Sequence, residues 1–318
     1  MSTEGSKKAI IAALTANAGI AAAKFVGWAV TGSSSMLAEG VHSVADTSNQ
    51  ALLLLGQKRA GKEADKLHPF GYGRARYFYS FIVALVLFTL GSLFALYEGY
   101  QKIRHAHDHE LSSPVIAVVI LVFAIALESY SFRTAVRESK PLKGRASWWR
   151  FIRTSRTPEL PVVLLEDAGA LVGLLLALIG VGLTWLTGNG LWDGLGTVGI
   201  GLLLGIIAIV LIIEMKSLLL GEGATPDEER AIVAAIDAEP NVQRVIHLKT
   251  QYLGPEELLV GVKVAIPGTK HASTIARTID SAEAAIRQAV PHARVIYIEP
   301  DIDRGTDADG DADEGRQR

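Results

Sequence analysis

Cysteine is absent from all 318 residues. That excludes disulfides and thiolate metal sites, and leaves His, Asp and Glu to hold any metal. Charge is scarce, at 20% against 49% apolar residues, and the mean hydropathy is +0.29. A water-soluble chain is rarely so apolar. Enzyme signatures are missing as well. There is no Ser-His-Asp set, no glycine-rich phosphate loop and no His-Glu-x-x-His helix, so the chain reads as a non-enzyme. A cleavable signal peptide is not expected, because the N-terminus is short and polar and Ala9–Gly32 is too long for a signal core.

What is present is a series of long apolar runs. Six have the length of membrane helices: Ala9–Gly32, Ser35–Gln57, Phe78–Gln101, Val115–Val136, Val162–Trp185 and Trp192–Lys216. The basic residues orient them. One loop carries Lys58, Arg59, Lys62, Lys66, Arg74 and Arg76. Another carries Arg137, Lys140, Lys143, Arg145, Arg150, Arg153 and Arg156. The other three connections hold only Lys102 and Arg104. The positive-inside rule puts both basic loops, and with them both termini, on the cytoplasmic side. A bacterial inner membrane is the expected location.

Past Gly221 the composition changes. Thr225–Ala238 opens on Thr-Pro-Asp-Glu-Glu, an N-cap followed by Pro and acids in the first helical turn. Val242–Tyr252 is β-branched, and Leu258–Ile266 alternates with Leu258, Val260, Val262, Val264 and Ile266 on one face. Gly254-Pro255 marks the turn between them. Ala272–Ala289 has helical periodicity, and Val295–Ile298 is a short strand. The order αββαβ predicts a small α+β domain. The expected organisation is a six-helix membrane domain over 1–220, an α+β domain over 221–303 and a disordered acidic tail over 304–318.

The second apolar run carries the chemistry. Ser35, Glu39, His42, Asp46 and Asn49 recur at i, i+4, i+7, i+11 and i+14, one face of a helix. Ionisable groups are costly in lipid, so the stripe must face a bundle interior or a water path. His42 and Asp46, four apart, can reach one ion. Imidazole with carboxylate suits Zn²⁺. The fifth run offers partners in Glu166 and Asp167. Adjacent helical residues diverge by about 100°, so one of the two is read as facing the ion, with Asp167 the first choice. Two other readings remain: a proton relay without metal, and for Glu166-Asp167 a helix-start charge favoured by the macrodipole. Lys24, Glu98 and Glu128 receive no site role. "HAHDHE", from His105, reads as a weak metal-capturing loop or a solvated turn.

The run "SSSMLAEGVHSVADTSNQALLLLG" resembles the second membrane helix of the cation diffusion facilitator family, and "HPFGYGR" at His68–Arg74 resembles that family's following loop. The likeness extends over about residues 7–303. It implies a homodimeric metal/proton antiporter in the lipid bilayer that exports Zn²⁺, or Mn²⁺, Fe²⁺, Co²⁺ or Cd²⁺, with protons as counter-ion. Metal ligands are implied at His42 and Asp46, with Glu39 beside them. The helix-five pattern departs, since "LLEDAGALVG" stands where a His/Asp-xxx-Asp pair is usual. This looks like the divergent branch that includes mitochondrial zinc exporters. An accessory loop site is implied at Asp65 and His68, with Tyr72 in place of its last His. In the C-terminal domain, expected to be a ferredoxin-like dimerisation module, His247, His271, His292 and Glu299 are scattered candidates. No nucleic-acid partner is expected. The alternative is a membrane-bound metal sensor or scaffold that does not transport.

Overall fold

A computed structural model of the chain describes residues 2–31, 34–105 and 114–304, with side chains at 4–30, 43, 44, 46–105 and 115–304. The chain divides into two units, Met1–Leu219 and Leu220–Arg318.

The first unit is helical. Its elements are α1 (Ser2–Thr31), α2 (Ser34–Ala60), α3 (Ala75–Val86), a π-helical segment (Leu87–Leu93), α4 (Phe94–Arg104), α5 (Pro114–Lys143), α6 (Trp148–Thr154), α7 (Glu159–Thr187) and α8 (Leu191–Leu220). The π segment joins α3 to α4, and Ala75–Arg104 runs as one span. Among the described residues, five helices are long and apolar enough to cross a membrane: Glu4–Val30, Ala75–Arg104, Val115–Lys143, Glu159–Thr187 and Leu191–Leu220. Helix α2 has 27 residues, about 40 Å at 1.5 Å per residue, so length does not separate it from the others. Its polar residues do.

Helix α1 packs on α2 and α5, α5 on α7, and α2 on α3. Near the basic loops the interior is solid: Ile10, Leu53, Tyr77, Leu160, Val163 and Leu211 are all buried in one apolar cluster. The second basic connection is more ordered than its charges suggest. Helix α5 runs on to Lys143, and α6 is capped by Ser147, whose side chain accepts a hydrogen bond from the Arg150 amide. Phe151 and Ile152 of α6 are buried. Two apolar residues among arginines do not make a periodic pattern, which is why this turn is not visible in the sequence.

The second unit is α+β. Helix α9 (Pro226–Asp237), β1 (Arg244–Gly254), β2 (Glu257–Ala265), α10 (Ala272–Ala289) and β3 (Ala293–Asp301) follow in the expected order. The sheet order is β1-β2-β3, with β1 antiparallel and β3 parallel to β2. Leu258, Val260, Val262 and Val264 of β2 are buried with Ile232 and Ile236 of α9 and Ile286 of α10. Alternation of period two against helical period thus closes one core. Thr225 and Glu228 form a reciprocal capping box at the start of α9, which settles two of the helix's orphan amides.

Glu228 does more than cap. Its carboxylate accepts hydrogen bonds from the Tyr252 hydroxyl at 2.8 Å and the Thr225 amide at 2.7 Å, and pairs with His292 Nε2 at 2.8 Å. Burial alone raises this carboxyl, but the hydrogen bonds from His292, Thr225 and Tyr252 outweigh it and hold it at about 2, below its ordinary 4.5. A depressed carboxyl stabilises the fold above its unfolded pKa and loses that contribution as pH falls toward the folded value. Glu228→Gln is therefore expected to destabilise this unit by about 1 kcal/mol at pH 7, after discounting for partial exposure, and by much less near pH 3. Hydrogen exchange of the full chain, corrected for the intrinsic pH dependence of exchange, reads the difference.

Candidate metal centre

The α2 stripe and the α7 acids meet inside the first unit. Asn49 Nδ2 donates to Glu166 Oε1 at 3.1 Å, and Gln50 Nε2 donates to Glu166 Oε2 at 3.0 Å. Asn17 of α1 donates in turn to Gln50 Oε1 at 3.2 Å. Both oxygens of Glu166 are thus held by amides from α2, and that helix is tied to α1. Asn49 Oδ1 is buried with no hydrogen-bond partner among the described residues. A buried acceptor left this way is costly, and it lies beside a carboxylate.

Asp167 takes the other side of α7. Ser131 of α5 donates to Asp167 Oδ2 at 2.6 Å, and Glu128, one turn before Ser131 on α5, is buried as well. Glu128 is 2% exposed and Asp167 is 1% exposed. The divergence expected of neighbouring helical residues is therefore present: Glu166 turns to α2 and Asp167 to α5.

A cavity of about 250 Å³ lies against these groups. Ser43, Asp46, Glu128 and Glu166 line the end nearer the basic loops, and Asp167 does not line the cavity. Lys24, Glu98, Lys102 and Asp193 line the other end. There the Lys102 ammonium sits 2.9 Å from Asp193 and 3.7 Å from Glu98. Leu87, the first residue of the π segment, and Phe94, just after it, also face the cavity. A π turn shifts side-chain register within a helix and recurs at functional sites.

Of the stripe, Asp46 lines the cavity and Asn49 grips Glu166. The side chains of Ser35, Glu39 and His42 lie outside the described residues, as do residues 106–110 of the His-rich loop and 305–318 of the tail. Among the described residues, no three of His, Cys, Asp and Glu are gathered closely enough to hold a metal ion. The loop pair is close, with His68 Nδ1 3.5 Å from Asp65 Oδ1. Asp65 is otherwise committed. It accepts from the Tyr72 hydroxyl at 2.6 Å and from the His68 and Leu67 amides, and these bonds, Tyr72 first, hold its carboxyl at about 2. In the second unit His292 pairs with Glu228 and Glu299 with Lys263; His247 and His271 join neither pair.

Sequence reading missed Gln50, Asn17, Ser131 and Glu128. Glu128 left one signal, an acid that directly follows the uncharged apolar run Val115–Leu127. The amides left none, since Gln and Asn are ordinary on helix faces.

An apolar helical unit with buried carboxylates around a cavity, joined to a small α+β domain, defines an integral multi-pass membrane protein. Residues 10–220 match the cation efflux transmembrane domain, and residues 224–301 match the cation efflux protein cytoplasmic domain. The chain belongs to the cation efflux family, the cation diffusion facilitators. It is 34% identical over 271 residues to the proton-coupled zinc antiporter SLC30A9, mitochondrial, of Xenopus laevis, covering 84% of this chain and 48% of that one. It is 31% identical over 258 residues to metal tolerance protein C4 of Arabidopsis thaliana, covering 79% and 55%. The chain spans about half the length of these curated relatives. The solved MamM-CTD 215-293 structure is similar at 17% identity and TM-score 0.23, over 24% of this chain and 95% of that one.

Proposed function

We propose that the chain is a proton-coupled carrier that exports a divalent metal cation, zinc foremost, from the cytoplasm. The observation that carries this reading is that Asp46 of α2 and Glu166 of α7 line one buried cavity, with His42 one turn before Asp46 on the same helix. Two carboxylates and an imidazole suit zinc better than magnesium or calcium, which prefer more oxygens. The same donor set admits Mn²⁺, Fe²⁺, Co²⁺ and Cd²⁺. Relatives named as proton-coupled zinc antiporters support the cargo and the counter-ion.

In this reading α2 is the sixth span, excluded by composition rather than length. Residues 1–220 form the transport domain and 221–303 a ferredoxin-like module that pairs two copies. Both termini face the cytoplasm, and a bacterial inner membrane is the site of action. Asp46, His42 and Glu166 hold the ion. Glu39 lies one turn before His42. Asp167, turned to α5, is the reserve acid. Glu128 and Asp167 are buried acids on neighbouring helices, and acids buried in a membrane bundle are suited to carrying protons as the counter-ion. Ligands must shed protons to take metal, and protons arriving from the far side then expel it.

The test is uptake of radioactive zinc by proteoliposomes of the full chain, with and without an opposing proton gradient. A carrier accumulates metal far beyond its own amount, and the gradient drives it. Binding that stops at protein stoichiometry with no gradient response would make the chain a sensor or scaffold instead.

A further inference from the structure

The two halves of the helical unit differ. On α1, α5 and α8 the lining residues run from mid-helix toward the ends remote from the basic loops, as far as Lys24, Ala117 and Asp193; on α7 they run from Glu166, two turns in from its start, to Val181. The half next to the basic loops is filled by the apolar cluster.

Within that filled half sits a charge pair. Arg76 at the start of α3 is 5% exposed, and Glu159 at the start of α7 is 1% exposed. The guanidinium donates twice, from Nε to Oε1 at 2.5 Å and from Nη2 to Oε2 at 2.8 Å. Nη2 also reaches Ser6 Oγ of α1 at 3.4 Å, and Gln57 of α2 donates to that same oxygen at 2.8 Å. Four helix ends are thereby joined. A buried ion pair is a poor way to gain stability, because desolvation consumes most of its attraction. It is a good way to hold one discrete arrangement, since breaking it strands a charge. Glu159, Val163 and Glu166 lie at i, i+4 and i+7, so the pair stands on the α7 face that carries the cavity acid, two turns nearer the basic loops.

We infer that the Arg76–Glu159 pair is the latch that closes the metal pathway on the basic-loop side, and that it must part before an ion can reach Asp46 and Glu166 from there. The inference rests on reading the unit as a carrier. Its test reads accessibility, so it stands or falls without any transport being measured.

Because the chain has no cysteine, a single Val163→Cys reports without background. Val163 is fully buried, between the latch and Glu166. In full-length protein in vesicles, a membrane-impermeant thiol reagent applied from the basic-loop side is expected to label V163C slowly. Adding Arg76→Gln with Glu159→Gln removes both charges together and strands neither; the rate should rise about tenfold or more. Arg76→Glu alone sets two carboxylates against each other and should expose the position further. Arg76→Glu combined with Glu159→Arg should return it to the parent rate. Labelling that stays at the parent rate in R76Q/E159Q or in R76E, in protein that elutes as the parent does, overturns the latch.

Discussion

Asp46→Asn is expected to cut zinc uptake by about a hundredfold or more while leaving the fold in place. Loss of a hydrogen-bonded group behind a ligand already costs about 10–100-fold in metal affinity, and loss of a charged ligand costs at least as much. Asparagine keeps the shape of the half-buried Asp46 side chain, so the cavity wall survives. Glu166→Gln should lose transport too, for a compound reason. Its carboxylate is the shared acceptor for Asn49 and Gln50, and a glutamine presents one of those donors with an amide NH₂. Asp167→Asn should cost less than either, because Asp167 does not line the cavity and Ser131 can still donate to the remaining carbonyl. Vesicle uptake normalised to folded protein ranks the three variants.

The largest effect on stability is expected at Gly99. A Cβ built there lies 2.7 Å from Val198 Cγ2, 2.8 Å from the Val198 amide nitrogen and 3.1 Å from the Gly194 carbonyl. Gly194 reciprocates, with Ile103 Cγ1 at 2.7 Å and the Ile103 nitrogen at 3.0 Å. The α4 and α8 backbones thus touch, as small residues allow in lipid, where packing rather than water drives association. Backbone cannot swing aside as a side chain can. Gly99→Val should cost more than the usual range of about 1–3 kcal/mol for overpacking and lower the melting temperature by roughly 6–12 °C, at 2–4 °C per kcal/mol. Gly182→Ala, with nothing among the described residues within 4 Å of its Cβ, serves as the neutral comparison. Thermal unfolding in detergent, followed by size exclusion, distinguishes them.

Elements held by local pattern were legible from the sequence. The Thr225 cap, the alternation from Leu258 to Val264 and the apolar runs each state their own structure, because period and capping act over a few residues. Two members of the α2 stripe can be placed: Asp46 lines the cavity and Asn49 is buried against Glu166. What stayed hidden depends on contacts far apart in the chain. Arg76 looked like one more loop charge and Glu159 like a residue before a span. Only the approach of α3 to α7 makes them a buried pair. Glu166 and Asp167 could be separated by angle but not assigned, since the choice lies with Gln50 and Ser131 on neighbouring helices. The Asp65 carboxylate was visible as a candidate ligand, whereas its capture by Tyr72 required the folded loop.

In the proposed carrier, α2 and α7 grip one ion together. Isothermal titration of zinc into the purified full chain, into Asp46→Asn, into Glu166→Gln and into the double variant tests it most directly. If both carboxylates touch the same ion, the losses are coupled, and the double variant binds little worse than the weaker single. Losses that simply add, or parental affinity in Asp46→Asn, would mean that the two carboxylates do not share an ion.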